Sequence, residues 1–232
     1  MREKAQGALK ETLRGVMGAM ASAIEAYDRN IGCHQVRVAT IACALARKLG
    51  WDRAQVEALR VACLVHDVGK ITVSQEILNK PGQLSAEEFS QIKLHAEAGH
   101  ALLKDIRFPW PITEAVLQHH ERIDGSGYPR GLRGDQILPM ARVLAIADVF
   151  DAMTSARSYR PALELEVVLA ELEGQAGTLL DAKMVNKCVS LFREKQREPW
   201  CSNVTGGRST RDLKCLTKMA ANLPALELGN PC

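Results

Sequence analysis

Aromatic residues are scarce in this sequence, and long blocks of positive charge are missing. Phe, Trp and Tyr make up 4% of 232 residues, which leaves few rings on which the bases of a single strand could stack. The formal net charge of +3 is small, and no run of Lys and Arg is long enough to follow a phosphate backbone. We therefore expect no nucleic-acid partner.

Long apolar runs are also missing. A membrane-spanning helix needs about 18 or more consecutive apolar residues, and the sequence has no such run, so we expect no membrane span. The first residues, Met1 to Gly7, lack the apolar segment of a secretory signal, which favours a cytoplasmic location.

The seven cysteines form no Cys-x-x-Cys pair and no regular framework. In a chain without a secretory signal they are typical of reduced thiols, and we expect Cys43 and Cys63 in the core. Cys33 lies beside His34. We do not expect it to bind metal, because histidines and carboxylates supply enough ligands.

The sequence does contain a clear helical pattern. Apolar residues recur at helical spacing, and no segment keeps an alternation with a period of two. We therefore predict an all-α fold. Helices are expected at about residues 34–49, 53–66, 85–102, 113–120, 140–154, 163–172 and 184–195, with a Gly-rich loop at 121–137.

The domain organisation follows from the same pattern. Residues 1–28 carry apolar side chains at near-heptad spacing and predict an amphipathic helix. This helix either packs on the domain, acts as a signalling helix or forms the seam of a homodimer. The helical domain is expected over residues 24–198. Residues 199–232 contain clusters of Gly, Asn, Ser and Pro and predict a partly disordered tail.

The positions of histidine and aspartate indicate a metal site. Five of the six histidines fall in four clusters on or beside predicted helices, and one aspartate is embedded in an apolar helical run. Imidazole and carboxylate form a transition-metal ligand set, and seven ligands suit two ions that share a bridging carboxylate. Such a centre activates water against phosphate esters. The candidate ligands are His34, His66, Asp67, His95, His119, His120 and Asp148.

A structural interpretation of these histidines competes with metal binding. A lone histidine on an apolar helix face is more often a hydrogen-bonded core residue, and we apply that interpretation to His100. For the other five it would require several buried imidazoles, each separately satisfied, so metal binding is favoured.

Three motifs resemble the HD-GYP family. They are His66-Asp67-Val68-Gly69-Lys70, the segment from His119-His120-Glu121 to Gly127-Tyr128-Pro129, and the segment from Ala147-Asp148 to Arg160. The resemblance extends over about residues 24–195. It implies an HD-superfamily helical bundle with a binuclear metal centre in its core. It also implies a phosphodiesterase that hydrolyses cyclic di-GMP to linear pGpG, to GMP or to both.

The resemblance also assigns the metal ligands. One ion would be held by His34, His66, Asp67 and Asp148. The other would be held by Asp67, His95, His119 and His120, with Asp67 as the bridge. Both would be divalent transition metals, iron or manganese as in the family, and zinc is also compatible. Asn30 stands where some members have a glutamate that binds a third metal, so two ions are favoured. Glu25 and Asp28 lie nearby in sequence and leave a third ion as the alternative.

Roles around the metals are implied as well. Asp67 and Lys70 would be catalytic, Lys70 by neutralising a phosphate oxygen or assisting the leaving group. Asp151 would accept a hydrogen bond from a guanine edge, and Arg157 and Arg160 would bind phosphate. The Gly127-Tyr128-Pro129 loop would either be a structural turn, or shape the substrate site and contact a protein partner.

Two alternatives to this function stay open. The same metal centre could hydrolyse another cyclic dinucleotide or another nucleotide. The chain could also be a catalytically silent module that binds a nucleotide or docks a partner. The complete ligand set favours an enzyme, because a silent module could lose ligands without penalty.

Overall fold

The computed structural model of the chain describes residues 2–28, 34–156 and 161–196, and these residues form helices and loops without a β-strand. The α-helices are α1 (Arg2–Tyr27), α2 (His34–Lys48), α3 (Arg53–Val65), α4 (Gln75–Leu78), α5 (Ala86–Lys93), α6 (His95–Leu103), α7 (Ile112–Gln118), α8 (Pro139–Thr154), α9 (Leu165–Gln175) and α10 (Ala182–Gln196). Two 3₁₀ helices cover Val68–Thr72 and Gly134–Gln136. The all-α prediction is confirmed for this part of the chain.

Helix α8 lies at the centre of the core and packs against α2, α3, α7 and α9. It begins with Pro139, where the missing N–H of proline has no helical partner to lose. Apolar side chains then follow on all its faces, and Val143, Leu144 and Ile146 are fully buried. Because Asp151 on this helix is 1% exposed, its carboxylate needs polar partners inside the fold.

Capping residues explain where several helices begin and end. Asp52 forms a capping box with Gln55 at the start of α3, and Ser85 forms the predicted one with Glu88 at the start of α5. Gly50 follows α2 with φ +84°, a left-handed conformation that glycine adopts without strain.

The prediction of one helix over residues 85–102 is wrong. The chain forms two helices, α5 and α6, separated at Leu94, which is 55% exposed. His95 and Gly99 are buried as expected, but Leu102 is 48% exposed. Both helices keep helical spacing, so the apolar period alone could not show the break.

The 3₁₀ helix Val68–Thr72 packs closely on α6, and glycine makes this approach feasible. A Cβ atom on Gly69 would overlap the His95 carbonyl oxygen and the Gly99 backbone nitrogen. This close packing places Asp67, two residues before Gly69, beside the start of α6.

The C-terminal half of α1 packs on the core. Ala21, Ile24 and Asp28 are buried, whereas Val16 is 52% exposed. Packing on the domain is therefore observed for this half, while the signalling and homodimer roles stay predictions. None of the helices within the described ranges has the length and apolar character to cross a membrane.

The chain divides into two compact units, Met1–Phe192 and Arg193–Cys232. The first contains α1 to α9 and most of α10. The predicted tail, residues 199–232, lies outside the described residues. The predicted boundary at residue 198 therefore stays a prediction.

Candidate metal centre

The seven candidate ligands converge in the core although five separate parts of the chain supply them. They are His34 at the start of α2, His66 and Asp67 after α3, His95 at the start of α6, His119 and His120 after α7, and Asp148 on α8. Five of these ligands are buried: His34, His66, Asp67, His95 and His119. His120 and Asp148 are partly exposed, so the centre opens to solvent on their side.

One group of ligand atoms consists of His34, His66 and Asp148, all within 4.8 Å of one another. The His34 Nε2 atom lies 3.2 Å from Asp148 Oδ1. Two imidazoles and one carboxylate are a typical ligand set for a divalent transition metal.

A second group consists of His95, His119 and His120, whose ligand atoms also lie within 4.8 Å of one another. The Nε2 atoms of His95 and His119 are 3.2 Å apart. Metal–nitrogen bonds of about 2.0–2.1 Å would place two nitrogens about 3.3 Å apart around a tetrahedral ion. The spacing therefore fits a shared metal ion.

Asp67 lies between the two groups. Its Oδ2 atom is 3.3 Å from His66 Nε2 and 3.7 Å from His34 Nε2, whereas its Oδ1 atom is 3.5 Å from His95 Nε2. Each carboxylate oxygen therefore faces a different group, which is the placement that a bridging ligand between two ions needs.

Three of the histidines are oriented by backbone carbonyl groups. The Nδ1 atoms of His66, His95 and His119 donate to the carbonyl oxygens of Cys63, Ile92 and Val116, each three residues earlier. A proton on Nδ1 leaves the lone pair on Nε2, and these Nε2 atoms face the centre. The three rings are thus prepared to bind a cation.

The electrostatics of the two groups differ. Burial, together with the neighbouring His66 and His95, lowers the pKa of His119 to about 3. Burial also lowers the pKa of His95 and His120. For His34, burial favours the neutral ring, but hydrogen bonds with Asp148 and Asp151 outweigh it and raise the pKa to about 9.

The two carboxylates of the centre are held ionised. Burial would raise the pKa of Asp67, but the electrostatic influence of the neighbouring His66 ring and of the Lys70 ammonium group outweighs it and holds the pKa well below its usual range. The pKa of Asp148 is held low in the same way, with His34 as the main opposing partner. Both carboxylates therefore carry a negative charge that favours the binding of a cation.

Lys70 lies at the centre, but carboxylates already bind its ammonium group. The Nζ atom donates to Asp67 Oδ2 at 2.9 Å and to Asp28 Oδ2 at 3.3 Å, and the side chain is 14% exposed. These carboxylates keep its pKa raised although burial opposes the charge. Lys70 is thus a fixed positive charge beside the candidate bridge.

The structure places Asp151 differently from the sequence expectation. Its side chain is 1% exposed, with Oδ2 accepting from His34 Nδ1 at 2.7 Å and Oδ1 accepting from Arg37 Nε at 2.6 Å. The Ser155 hydroxyl also lies 3.4 Å from Oδ1. Both carboxylate oxygens of Asp151 are therefore engaged by partners within the core.

The Gly127-Tyr128-Pro129 loop lies against the second group of ligands. The Tyr128 ring stacks on the His120 ring with centroids 4.7 Å apart. A Cβ atom on Gly127 would overlap the backbone of Glu121 and Arg122, so glycine is required where the loop doubles back. Glu121 anchors the returning chain by accepting from the backbone N–H groups of Arg130 and Leu132. The loop is therefore held in a fixed position against His120.

Several expectations fall on parts of the chain that the structure leaves undescribed. Arg157 and Arg160, the predicted phosphate contacts, lie there. So do Asn30 and Cys33. His100 is described, and it is not a core residue: its side chain is 29% exposed and bonds to Glu114.

Sequence reasoning missed three residues that support the site. Arg37 binds Asp151, Asp28 binds Lys70, and Glu121 anchors the loop. Glu121 could have been noticed, because a carboxylate beside a histidine pair in an apolar setting needs partners. The other two partners are distant in sequence and gave no local signal.

Comparison with known proteins agrees with this geometry. The HD domain family matches residues 18–184. The cyclic di-GMP phosphodiesterase response regulator RpfG of Xanthomonas campestris is 38% identical over 77% of this chain and 48% of its own length. The 3'3'-cGAMP-specific phosphodiesterase 2 of Vibrio cholerae is 38% identical over 76% of this chain and 34% of its own length.

A solved structure supports the fold. The HDG"Y"P protein Bd1817 of Bdellovibrio bacteriovorus aligns with a TM-score of 0.61 and 22% identity, over 79% of this chain and 64% of that one. The chain spans about half or less of the length of these two curated relatives. With the family match, the three motifs and the helical bundle in agreement, the chain belongs to the HD-GYP branch of the HD domain family.

Proposed function

We propose that the chain is a metal-dependent phosphodiesterase that hydrolyses cyclic di-GMP to linear pGpG, to GMP or to both. Its centre would hold two divalent transition metals, with iron or manganese preferred and zinc compatible. The observation that carries this proposal is the placement of Asp67, whose two oxygens face two separate groups of ligands. A catalytically silent module has no need for such a complete arrangement.

Each side chain around the centre would have a separate role in the reaction. Two bound ions would supply Lewis acidity and lower the pKa of water near a phosphodiester. Asp67 would hold the ions at a fixed separation, and the Lys70 ammonium, already fixed beside it, would face negative charge that develops on the phosphate. Tyr128, stacked on His120, would border the substrate. Arg157 and Arg160 are proposed as phosphate contacts from the motif alone.

A second candidate substrate is 3'3'-cGAMP. It is a candidate because the Vibrio cholerae relative is named for that activity and, like RpfG, is 38% identical to this chain. The two substrates differ in one purine base, so the metal centre cannot choose between them. The choice would lie with groups that contact the base edges.

The test is direct. We would purify the chain anaerobically, count metals by elemental analysis, and follow cyclic di-GMP and 3'3'-cGAMP by chromatography. Asp67→Ala should lose turnover and at least one metal, because it removes the ligand shared by both groups. His100→Ala is the matched control, since His100 belongs to neither group, and it should keep both. Turnover by metal-free chain, or by Asp67→Ala, would contradict the proposal.

We further propose a cytoplasmic protein that forms a homodimer through α1 and contacts a protein partner through the Gly127-Tyr128-Pro129 loop. The near-heptad apolar spacing of residues 1–28 supports the dimer, and Val16 of this pattern is 52% exposed. Light scattering should report a dimer for the wild-type chain and a monomer for Val16→Glu. A monomer in both cases would contradict the α1 seam.

A further inference from the structure

The His34 ring is oriented by a different device from that of its neighbours. His66, His95 and His119 each donate from Nδ1 to a carbonyl three residues earlier. His34 is the first residue of α2. Its Nδ1 atom instead donates to Asp151 on α8, 117 positions away in sequence, at 2.7 Å.

Arg37 completes this arrangement from the next turn of α2. Its Nε atom donates to Asp151 Oδ1 at 2.6 Å, and its Nη2 atom donates to Asp151 Oδ2 at 3.0 Å. The two-pronged bond fixes the plane of the carboxylate, and the side chains of Arg37 and Asp151 are only 13% and 1% exposed. The plane of the carboxylate in turn fixes the His34 ring.

We propose that Asp151 and Arg37 are positioning residues that hold His34 Nε2 toward Asp148 and Asp67 and so set the affinity of one of the two metal ions. The affected ion is the one in the group of His34, His66 and Asp148, and the ion of the three-histidine group is independent of the pair. This inference rests on the proposed metal centre. A carboxylate behind a ligating imidazole fixes the ring and increases its basicity, and removal of such a partner typically lowers metal affinity about 10–100-fold.

A variant elsewhere in the fold tests whether Arg37 and Asp151 have only a structural role. Arg142 lies on α8, as Asp151 does, and its side chain is 13% exposed, the same fraction as that of Arg37 on α2. It bonds to Asp181 at 2.9 Å, to Asp135 at 3.0 Å and to the Ile137 carbonyl, none of which is a candidate ligand. Arg142→Met therefore removes an equally buried guanidinium without touching the centre.

The experiment measures metal binding rather than turnover alone. Metal-free full-length chain is titrated with Mn²⁺ in competition with a chelator, and the two binding constants are resolved. Asp151→Asn keeps an oxygen acceptor of the same size, so the variant should fold. Asp151→Asn and Arg37→Met should each weaken one ion about 10–100-fold and leave the other within about 2-fold. Arg37→Lys should show a smaller loss, because its ammonium keeps the charge but not the two-pronged bond.

Saturating metal separates this role from substrate binding. With excess Mn²⁺, both variants should recover most of their kcat, and their KM for cyclic di-GMP should match the wild type. A KM that stays high at saturating metal would overturn the positioning role, as would equal weakening of both ions or unchanged binding constants. The same loss of affinity in Arg142→Met would also overturn it. A wild-type chain that takes up no metal would instead contradict the proposed centre itself.

Discussion

Lys70 shows how one side chain can be close to a metal site without being a ligand. Its ammonium group is bound by Asp67 and Asp28, and an ammonium cannot coordinate a cation. We therefore expect its contribution to be electrostatic, on the charge of the phosphate or of the leaving group.

We expect Lys70→Met to keep both metals and to lower kcat by about 10²–10³, the usual effect of losing one preorganised electrostatic contact. Elemental analysis and steady-state kinetics check this. Lys80→Met is the control, because Lys80 forms an ion pair with Glu88 and is 40% exposed. A metal-free Lys70 variant, or one with normal turnover, would show that the role is assigned wrongly.

His34 links metal uptake to pH. Its pKa in the metal-free fold is raised to about 9, above the ordinary 6.5, so the ring is protonated at neutral pH. A metal needs the Nε2 lone pair and must displace that proton. We expect uptake near pH 7 to release about one proton from His34, and uptake above about pH 10 to release none. The lowered pKa values of His95 and His119 mean that these rings are already neutral and add nothing.

A pH indicator in weak buffer measures this release during a Mn²⁺ titration, with His34→Gln as the control that should release about one proton fewer. The sign is fixed by the direction of the shift. Affinity should rise with pH up to about 9 and then level off. Equal proton release at pH 7 and pH 10 would contradict the expectation.

The packing of helices, in addition to side-chain chemistry, sets the distance between the two groups of candidate ligands. Gly69 lets the 3₁₀ helix Val68–Thr72 approach α6, and this approach places Asp67 Oδ1 3.5 Å from His95 Nε2. A side chain at Gly69 would push the two elements apart, because the atoms in its way belong to the backbone and cannot rotate aside.

We expect Gly69→Ala to lower the free energy of unfolding by about 1–3 kcal/mol or more, as overpacking usually does, and to weaken metal binding. Urea denaturation and elemental analysis measure the two effects. Gly18→Ala is the control, since a Cβ atom there meets nothing within 4 Å, and it should stabilise α1 by about 0.5–1 kcal/mol. Normal metal content in Gly69→Ala would show that the close packing does not serve the centre.

The whole molecule is organised around the centre, because ligands come from α2, from the segment after α3, from α6, from the segment after α7 and from α8. Several ionisable groups meet there, since His34 Nε2 lies 3.7 Å from Asp67 Oδ2 and 3.2 Å from Asp148 Oδ1. Bound ions would therefore link the elements that supply the ligands and would balance the charge of the two carboxylates.

Removal of metal should destabilise the fold. A ligand present at 100 times its Kd stabilises the native state by about 2.7 kcal/mol per site, so chelation should lower Tm and the urea midpoint measurably. Readdition of two equivalents of Mn²⁺ should restore both, and His100→Ala should behave as the wild type does. An unchanged Tm after complete removal would mean that the ions do not hold the helices together.

The sequence by itself determined the helical class, most helix positions and the set of candidate ligands. Apolar spacing reports the buried face of each helix, and five histidines with two aspartates in otherwise apolar surroundings have little purpose without a cation. Pro139, Ser85 and Gly50 marked helix ends because capping depends on neighbouring residues alone.

Only the tertiary structure decided how these residues are partnered. Asp151 lies one helical turn after Asp148 and was expected to face substrate, yet it binds His34 and Arg37 across 117 and 114 positions of sequence. The division at Leu94 and the close approach at Gly69 were equally hidden. The physical reason is the same in each case: local spacing fixes which face of a helix is buried, but the partner that a buried polar group meets depends on how separate helices pack.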